Sequence, residues 1–360
     1  MITHNQYVPL LRWRMGEYQA LLRLEASKKL SVLPMIEVLE PDFDFEKWIP
    51  KKTIDEQLST FASQLNKKWG ERPALLDARQ LPPTTRMADG RHPMTYLFDE
   101  TRALGGELTP VTALDYDASY QAAVRGIHAL DGRGAVLRCT LEEALDPDFD
   151  VNVAALLAAL GLSLSELDLV LDLRAPAYEP LQGLVGVVQA ALGGSSTMAN
   201  ARSLVVMAAS FPDSLAHLKT SLELLPRNDW LFYRSLIAAL PKGVRRPAFG
   251  DYAVAAVAFP KGDMRFMRGA PNIRYATTGG WLVARRKRLK GETNQAYPGL
   301  CTLITGASAY HGATYSAGSG YISDCEHGRV KRGNPTTWKW VATNHHITVV
   351  LDDLARLPAP

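Results

Sequence analysis

Two stretches, Leu75-Leu-Asp-Ala-Arg79 and Val170-Leu-Asp-Leu-Arg174, share one pattern: an apolar residue, then Asp, then Arg, each two positions apart. Residues two apart on a strand share a face, so each stretch sets a carboxylate and a guanidinium on one side, at the strand's C-terminal end. Working outward, the same kind of short apolar run recurs as Val8–Arg12, Val32–Glu37, Pro73–Asp77, Leu108–Leu114, Ala135–Arg138, Leu167–Asp172, Leu204–Ser210 and Ala248–Asp251. A helix-like stretch follows each run. Eight such units in about 250 residues predict parallel strands closed into a barrel. The expected fold class is α/β, a (β/α)8 TIM-like barrel over residues 1–258, with an appended α+β lobe over 259–360 packed on it.

Local signals refine this outline. Thr53 with Glu56 three residues on predicts a capped helix start, and Pro93 opens another helix. Asp42–Lys52 reads as a loop carrying Phe43, Phe45 and Trp48. Asp213–Leu225 and Asp229–Leu240 read as two successive helices. Beyond Phe259 the rhythm changes. Trp281–Lys290 is strand-like and runs into the basic stretch Arg285–Lys290, Tyr297–Thr305 is a short helix, and Ser308–Gly333 is rich in Gly, Ser and His. Ile347–Leu357 reads as a final helix or strand.

The composition is that of an ordinary globular chain: 360 residues, 47% hydrophobic, 21% charged, net charge +3. It excludes a disordered chain, and so mild a basic excess does not by itself imply nucleic acid. The first residues lack the basic and apolar regions of a signal peptide, and no apolar stretch reaches membrane-spanning length. Cys139, Cys301 and Cys325 have no CxxC spacing, which reads as reduced thiols. A cytoplasmic chain without a membrane contact is the expectation, with Cys139 buried and inert.

If the charged strand ends face inward, Glu37, Asp77, Asp172 and Asp251 converge with Arg12, Arg79, Arg138 and Arg174. Two readings stand. In one, the carboxylates do acid/base chemistry while the arginines grip an anion, at the end of the fold where barrel sites lie. In the other, the charges neutralise one another as buried ion pairs. A dedicated metal site is not expected, because HxH and HExxH motifs are missing and the arginines oppose a cation. Walker, GxGxxG and GxSxG motifs are missing too, so no cofactor is identifiable and Tyr315-Ser-Ala-Gly-Ser-Gly-Tyr321 reads as a turn.

Arg86, Asp89, Arg91 and His92 lie in the loop after the third strand, as substrate contacts or as plain turn residues. In the lobe, His345 is the candidate for proton transfer. On a strand, His346 would face the other way. Asn344 and Trp338 would help close the pocket, although tryptophans of this kind also pack lobes together. The leading expectation is a phosphate-bearing ligand, a nucleotide or nucleic acid, held in a charged pocket and open to hydrolysis or group transfer. The alternative is a non-catalytic binding or sensor module.

Tyr7-Val-Pro-Leu-Leu-Arg-Trp-Arg-Met-Gly-Glu-Tyr, Pro34-Met-Ile-Glu37, Arg86-Met-Ala-Asp-Gly-Arg-His-Pro93, Phe249-Gly-Asp-Tyr252 and Gly333-Asn-Pro-Thr-Thr-Trp338, with Asn344-His-His-Ile-Thr348, carry a further indication. Together they resemble the beta family proteins, bacterial and prophage relatives of the T-even phage beta protein, over nearly the whole chain. The resemblance implies a phage, prophage or antiviral-defence setting, in which the non-catalytic alternative would be a sensor that partners an effector nuclease or recognises a phage component. It brings no assigned catalytic residues with it.

Overall fold

The computed structural model describes residues 1–258, 270–287 and 294–358. Eight parallel strands close into a barrel: β1 (Tyr7–Arg12), β2 (Met35–Glu37), β3 (Ala74–Asp77), β4 (Leu108–Thr112), β5 (Ala135–Thr140), β6 (Leu167–Asp172), β7 (Ser203–Ala208) and β8 (Ala248–Asp251). They lie in sequence order around the ring, and β8 returns to pair with β1 through Tyr7↔Phe249 to Pro9↔Asp251. The expected (β/α)8 class is therefore the observed one.

Alternation along the strands divides the core in two. Val8, Leu10, Met35, Leu75, Val111 and Val136 point inward and form an apolar plug with Val170, Val205 and Met207. Tyr7, Leu11, Ile36, Leu76 and Leu137 point outward against the helices. Inside the plug, β8 contributes Gly250, where a Cβ would lie 3.0 Å from both the Val8 carbonyl oxygen and the Met207 methyl. The missing side chain lets Met207 fill the centre.

The helices begin where their side chains can satisfy the first free amides. Thr53 and Glu56 form the expected capping box. Asp117 accepts from Ser119 and Tyr120 to start the helix Ala118–Asp131, which Gly132 ends in a left-handed conformation. The helix Pro93–Ala103 starts at Pro93, as expected.

Three parts differ from expectation. Leu215, Leu218, Leu222 and Leu225 have helical spacing, yet Leu222–Pro226 is a strand. It pairs antiparallel with Gly280–Arg285, which in turn pairs with Asn272–Ala276. Ladder bonds to a preformed edge override local periodicity here. The sheet also takes a strand from the crossover between β7 and β8, so the lobe packing extends across position 258. Third, Asn334 caps a single helix, Pro335–Ala355, that continues through Asn344-His-His without becoming a strand. This helix packs on the helix Met15–Leu22 and on β1, closing the outer ring where an eighth barrel helix belongs.

Candidate functional site

The inward charges at the C-terminal ends of β2, β3, β5 and β6 converge on one guanidinium. Arg138 Nη1 donates to Glu37 Oε1 at 3.2 Å and Asp77 Oδ2 at 2.9 Å; its Nε donates to Asp172 Oδ2 at 2.9 Å, and its Nη2 lies 2.7 Å from the same oxygen. Arg138 Nη2 also donates to the Tyr252 hydroxyl at 3.0 Å, which donates to Asp172 at 2.7 Å. Asp77 accepts further from the Tyr116 hydroxyl at 2.8 Å and the Arg79 amide at 2.9 Å, and Asp172 from the Arg174 amide at 2.9 Å. Arg12 Nε lies 3.5 Å from Glu37 Oε2.

These groups are sealed: Asp77 is 0% exposed, Glu37 and Asp172 2%, Arg138 5%. Burial alone would draw the Arg138 guanidinium down, but Asp172, Tyr252, Asp77 and Glu37 outweigh it and hold it well above its ordinary value. The space enclosed by three carboxylates is filled by Arg138 itself; both oxygens of Asp77 and of Asp172 accept from donors, and Glu37 accepts from Arg138 through Oε1 and faces Arg12 through Oε2. Among the described residues no group of His, Cys, Asp and Glu is placed to hold a metal ion.

Above this hub lies an open cleft of about 1090 Å³ between the loops after β1 and β2 and the lobe. Its lining carries Arg12, Arg14, Lys52, Arg274 and Lys339 against Glu17, Asp42 and Asp213, with Trp13, Tyr18, Tyr297 and Trp338 among its apolar walls. Arg14 pairs with Asp42 at 2.8 Å, and Lys339 lies 3.3 Å from the buried Glu17. Burial draws Lys339 below its ordinary value against the pull of Glu17, and the nearby charges of Arg274 and Arg12 push it the same way. Arg274 packs 4.2 Å over the Phe211 ring and donates to the Val254 carbonyl at 2.5 Å. It has no carboxylate partner among the described residues, and burial draws it down to about 10.

The remaining predicted residues lie elsewhere. Asp251 is on β8 but on the outer face, because its register partners Pro9 and Ala208 also face out. It accepts from the Tyr7 hydroxyl, the Ala253 amide at 2.7 Å and His346 Nε2 at 2.7 Å, so it does not join the hub. His345 is fully buried in the helix Pro335–Ala355. Its Nε2 donates to the Ala276 carbonyl at 2.9 Å, its Nδ1 faces the Ser316 and Ser319 hydroxyls at 3.2 and 3.1 Å, and burial lowers it to about 3. A carbonyl oxygen only accepts, so Nε2 carries the proton; burial keeps the ring neutral, and both its nitrogens are engaged away from the cleft.

Asn344 is a clamp, donating to the Ala20 carbonyl at 3.1 Å and accepting from the Gly318 amide at 3.0 Å. Arg79 stands 5.7 Å from the Tyr116 ring and 3.8 Å from Asp115, and Arg174 is exposed. Arg91 pairs with Asp89 at 2.7 Å and Asp99 at 3.0 Å, while His92 caps the following helix, so that loop is turn chemistry. Trp338 does line the cleft, stacked on Tyr297 at 4.5 Å. Arg288–Lys290 of the basic run lie outside the described residues.

Sequence reasoning missed Tyr116, Tyr252, Glu17, Arg274 and Lys339. Tyr252 follows the eighth strand at the parity of Ala248 and Gly250, a signal that was present. Arg274 and Lys339 come from elements remote in sequence, and no spacing rule brings them to β1.

The profile of the family described as Beta protein matches residues 7–352. No curated protein matches significantly. Among solved structures, a triosephosphate isomerase from Bartonella henselae is similar with a TM-score of 0.35 and 11% identity, over 70% of this chain and 94% of that one. No helix among the described residues is long and apolar enough to cross a membrane. With a match running from the first barrel strand into the last helix, the chain belongs to the Beta protein family.

Proposed function

We propose that this chain binds a phosphate-bearing ligand, a nucleotide or a nucleic-acid segment, in the cleft at the barrel mouth. The observation that carries the reading is the cluster of Lys339, Arg274 and Arg12, three cations that meet two buried carboxylates, Glu17 beside Lys339 and Glu37 beside Arg12. Cations held in a partly desolvated cleft attract an anion more strongly than surface lysines do, and arginine adds a planar fork for phosphate oxygens. The aromatic walls suit a base or sugar.

Binding is favoured over hydrolysis. Glu37, Asp77 and Asp172 are occupied by Arg138 and neighbouring hydroxyls and amides, which leaves none of them poised as a general base. This supports a ligand-sensing module, acting with an effector partner, over a hydrolase. A phage or prophage setting is the context the family resemblance implies.

The test is thermal unfolding against nucleoside mono- and triphosphates. At about 100 times Kd a ligand adds roughly 2.7 kcal/mol, hence a rise of several degrees. Arg274→Met and Lys339→Met should each abolish the rise while still unfolding cooperatively, with the ligand-free midpoint lower in Lys339→Met because the buried Glu17 loses its partner. No rise with any nucleotide, or a rise unchanged in both variants, would overturn the assignment.

A further inference from the structure

Beside the cleft the loop after β2 forms a small hairpin, Phe43–Asp44 paired with Ile49–Pro50. It is attached to the cleft at both ends: Asp42 and Lys52 line the cleft, the Lys51 amide donates to the Asp42 carbonyl at 2.7 Å, and Arg14 holds the Asp42 carboxylate. Asp44 closes the turn by accepting from the Glu46 and Lys47 amides at 2.9 and 3.2 Å. What the turn displays is apolar: Trp48 is 76% exposed, Ile49 53%, Phe43 37% and Phe45 36%. Phe43 lies 5.1 Å from Phe45 and 6.1 Å from Trp48, both edge-to-face, and none of the three rings is sealed by these contacts. Trp48 also holds φ at 55°, the left-handed region that bulky side chains avoid. Exposed clusters of large rings mark contact surfaces.

We infer that this hairpin is a stacking platform for single-stranded nucleic acid, whose phosphates run past Lys51 and Lys52 into the cationic cleft. The inference rests on the cleft reading above and narrows its ligand from a lone nucleotide to a strand. Three features favour nucleic acid over a protein surface. Lys47 lies between Phe45 and Trp48, and Lys51 and Lys52 follow Pro50 toward the cleft, which sets cations beside the most exposed ring and along the path that a strand's phosphates would take. Two of the hairpin's acids, Asp42 and Asp44, are already engaged by Arg14 and by the turn amides. The platform is also continuous with a cleft whose lining carries an excess of cations.

The experiment titrates the full chain into labelled oligothymidylates of about 4 to 12 nucleotides, with dTMP as the mononucleotide probe. The expected result is affinity that rises with length. Trp48→Ala should weaken the longest strand about ten- to hundred-fold while leaving dTMP binding unchanged, because stacking is sequence-tolerant and additive along the strand. Lys51→Gln and Lys52→Gln should each reduce the salt slope by about 0.7. If dTMP binds but the longest strand binds no tighter, or if Trp48→Ala leaves strand affinity unchanged and alters only self-association, the platform is overturned and the cleft reading stands. If neither dTMP nor any strand binds, both fail.

Discussion

Replacing Arg138 with methionine separates the two meanings that charged strand ends carry. The guanidinium is the common partner of Glu37, Asp77 and Asp172, all at 3.2 Å or less and all buried. Without it, three buried carboxylates have, among the described residues, only Arg12 as a counter-charge, 3.5 Å from Glu37. Breaking one buried pair by removing a partner costs about 3–5 kcal/mol. Loss of the shared partner of three therefore reaches at least the top of that range, about 5 kcal/mol, a large part of the roughly 5–15 kcal/mol that holds a domain folded. Asp172→Asn should be milder. Two arginines and three carboxylates sum to a formal −1, so removing one carboxylate leaves the hub neutral. The amide oxygen can still accept from Arg138 and Tyr252, but its nitrogen then faces the Arg174 amide, for a loss of about 2 kcal/mol from one unmatched donor. Urea unfolding followed by circular dichroism measures both, with the slope expected unchanged. An Arg138→Met chain within about 1 kcal/mol of the parent, or an Asp172→Asn chain less stable than Arg138→Met, would refute this account of the hub.

Two further perturbations probe the docking of the last helix. His345 stays neutral in the folded chain down to about 3, whereas an unfolded histidine takes up its proton near 6.5. Its contribution is therefore full above about pH 6.5 and lost as pH falls toward 3, with a slope approaching 1.4 kcal/mol per pH unit. In His345→Gln the stability at neutral pH falls, and the slope between about pH 6 and 4 should decrease by nearly one proton; an unchanged slope would show that this ring is not what the acid limb titrates. At Gly318 a Cβ would sit 2.3 Å from the Val341 carbonyl oxygen, so Gly318→Ala must push two helices apart. It should destabilise by about 1–3 kcal/mol, whereas Gly126→Ala, on an open helix surface with nothing within 4 Å, should stabilise by roughly 0.5–1 kcal/mol. Thermal unfolding of the pair with the same sign would sink the argument.

The barrel was readable because short apolar runs recur with a helix-like stretch after each, several of them closed by a charge, and because parity then sorts their side chains. Parity placed Glu37, Asp77, Arg138 and Asp172 on one face correctly. It was misapplied at Asp251, where Ala248 and Gly250 are the inward pair and the acid follows out of phase. Sequence alone left open whether the inward charges form a pocket or neutralise one another, since both use the same residues in the same register. The tyrosines decide that locally: Tyr252 and Tyr116 cover the carboxylates that would otherwise meet solvent. The lobe was less readable. Leu222–Pro226 becomes a strand only because Gly280–Arg285 offers it an edge more than fifty residues later. The two histidines were weighed as strand neighbours that face opposite ways, yet in the helix these side chains and Asn344 find buried carbonyl, hydroxyl and carboxylate partners.

Arg12 is where the two charge systems meet, since it reaches Glu37 in the sealed hub and also lines the open cleft. The division of labour between them follows from where their residues originate. Hub residues come mainly from barrel strands, so their positions are set once the ring closes, and their mutual neutralisation keeps the barrel end rigid. The cleft's other cations come from outside the ring: Lys339 from the last helix and Arg274 from the lobe sheet. The last helix reaches Lys339 only by lying close along Met15–Leu22, where Gly16 leaves room that a Cβ, 2.6 Å from the Lys339 side chain, would fill. A binding surface assembled this way exists only while that helix is docked. If the cleft binds as proposed, ligand affinity and closure of the outer ring would be one equilibrium, and a phosphate-bearing ligand bridging Arg12, Arg274 and Lys339 would stabilise the barrel through the same contacts that bind it.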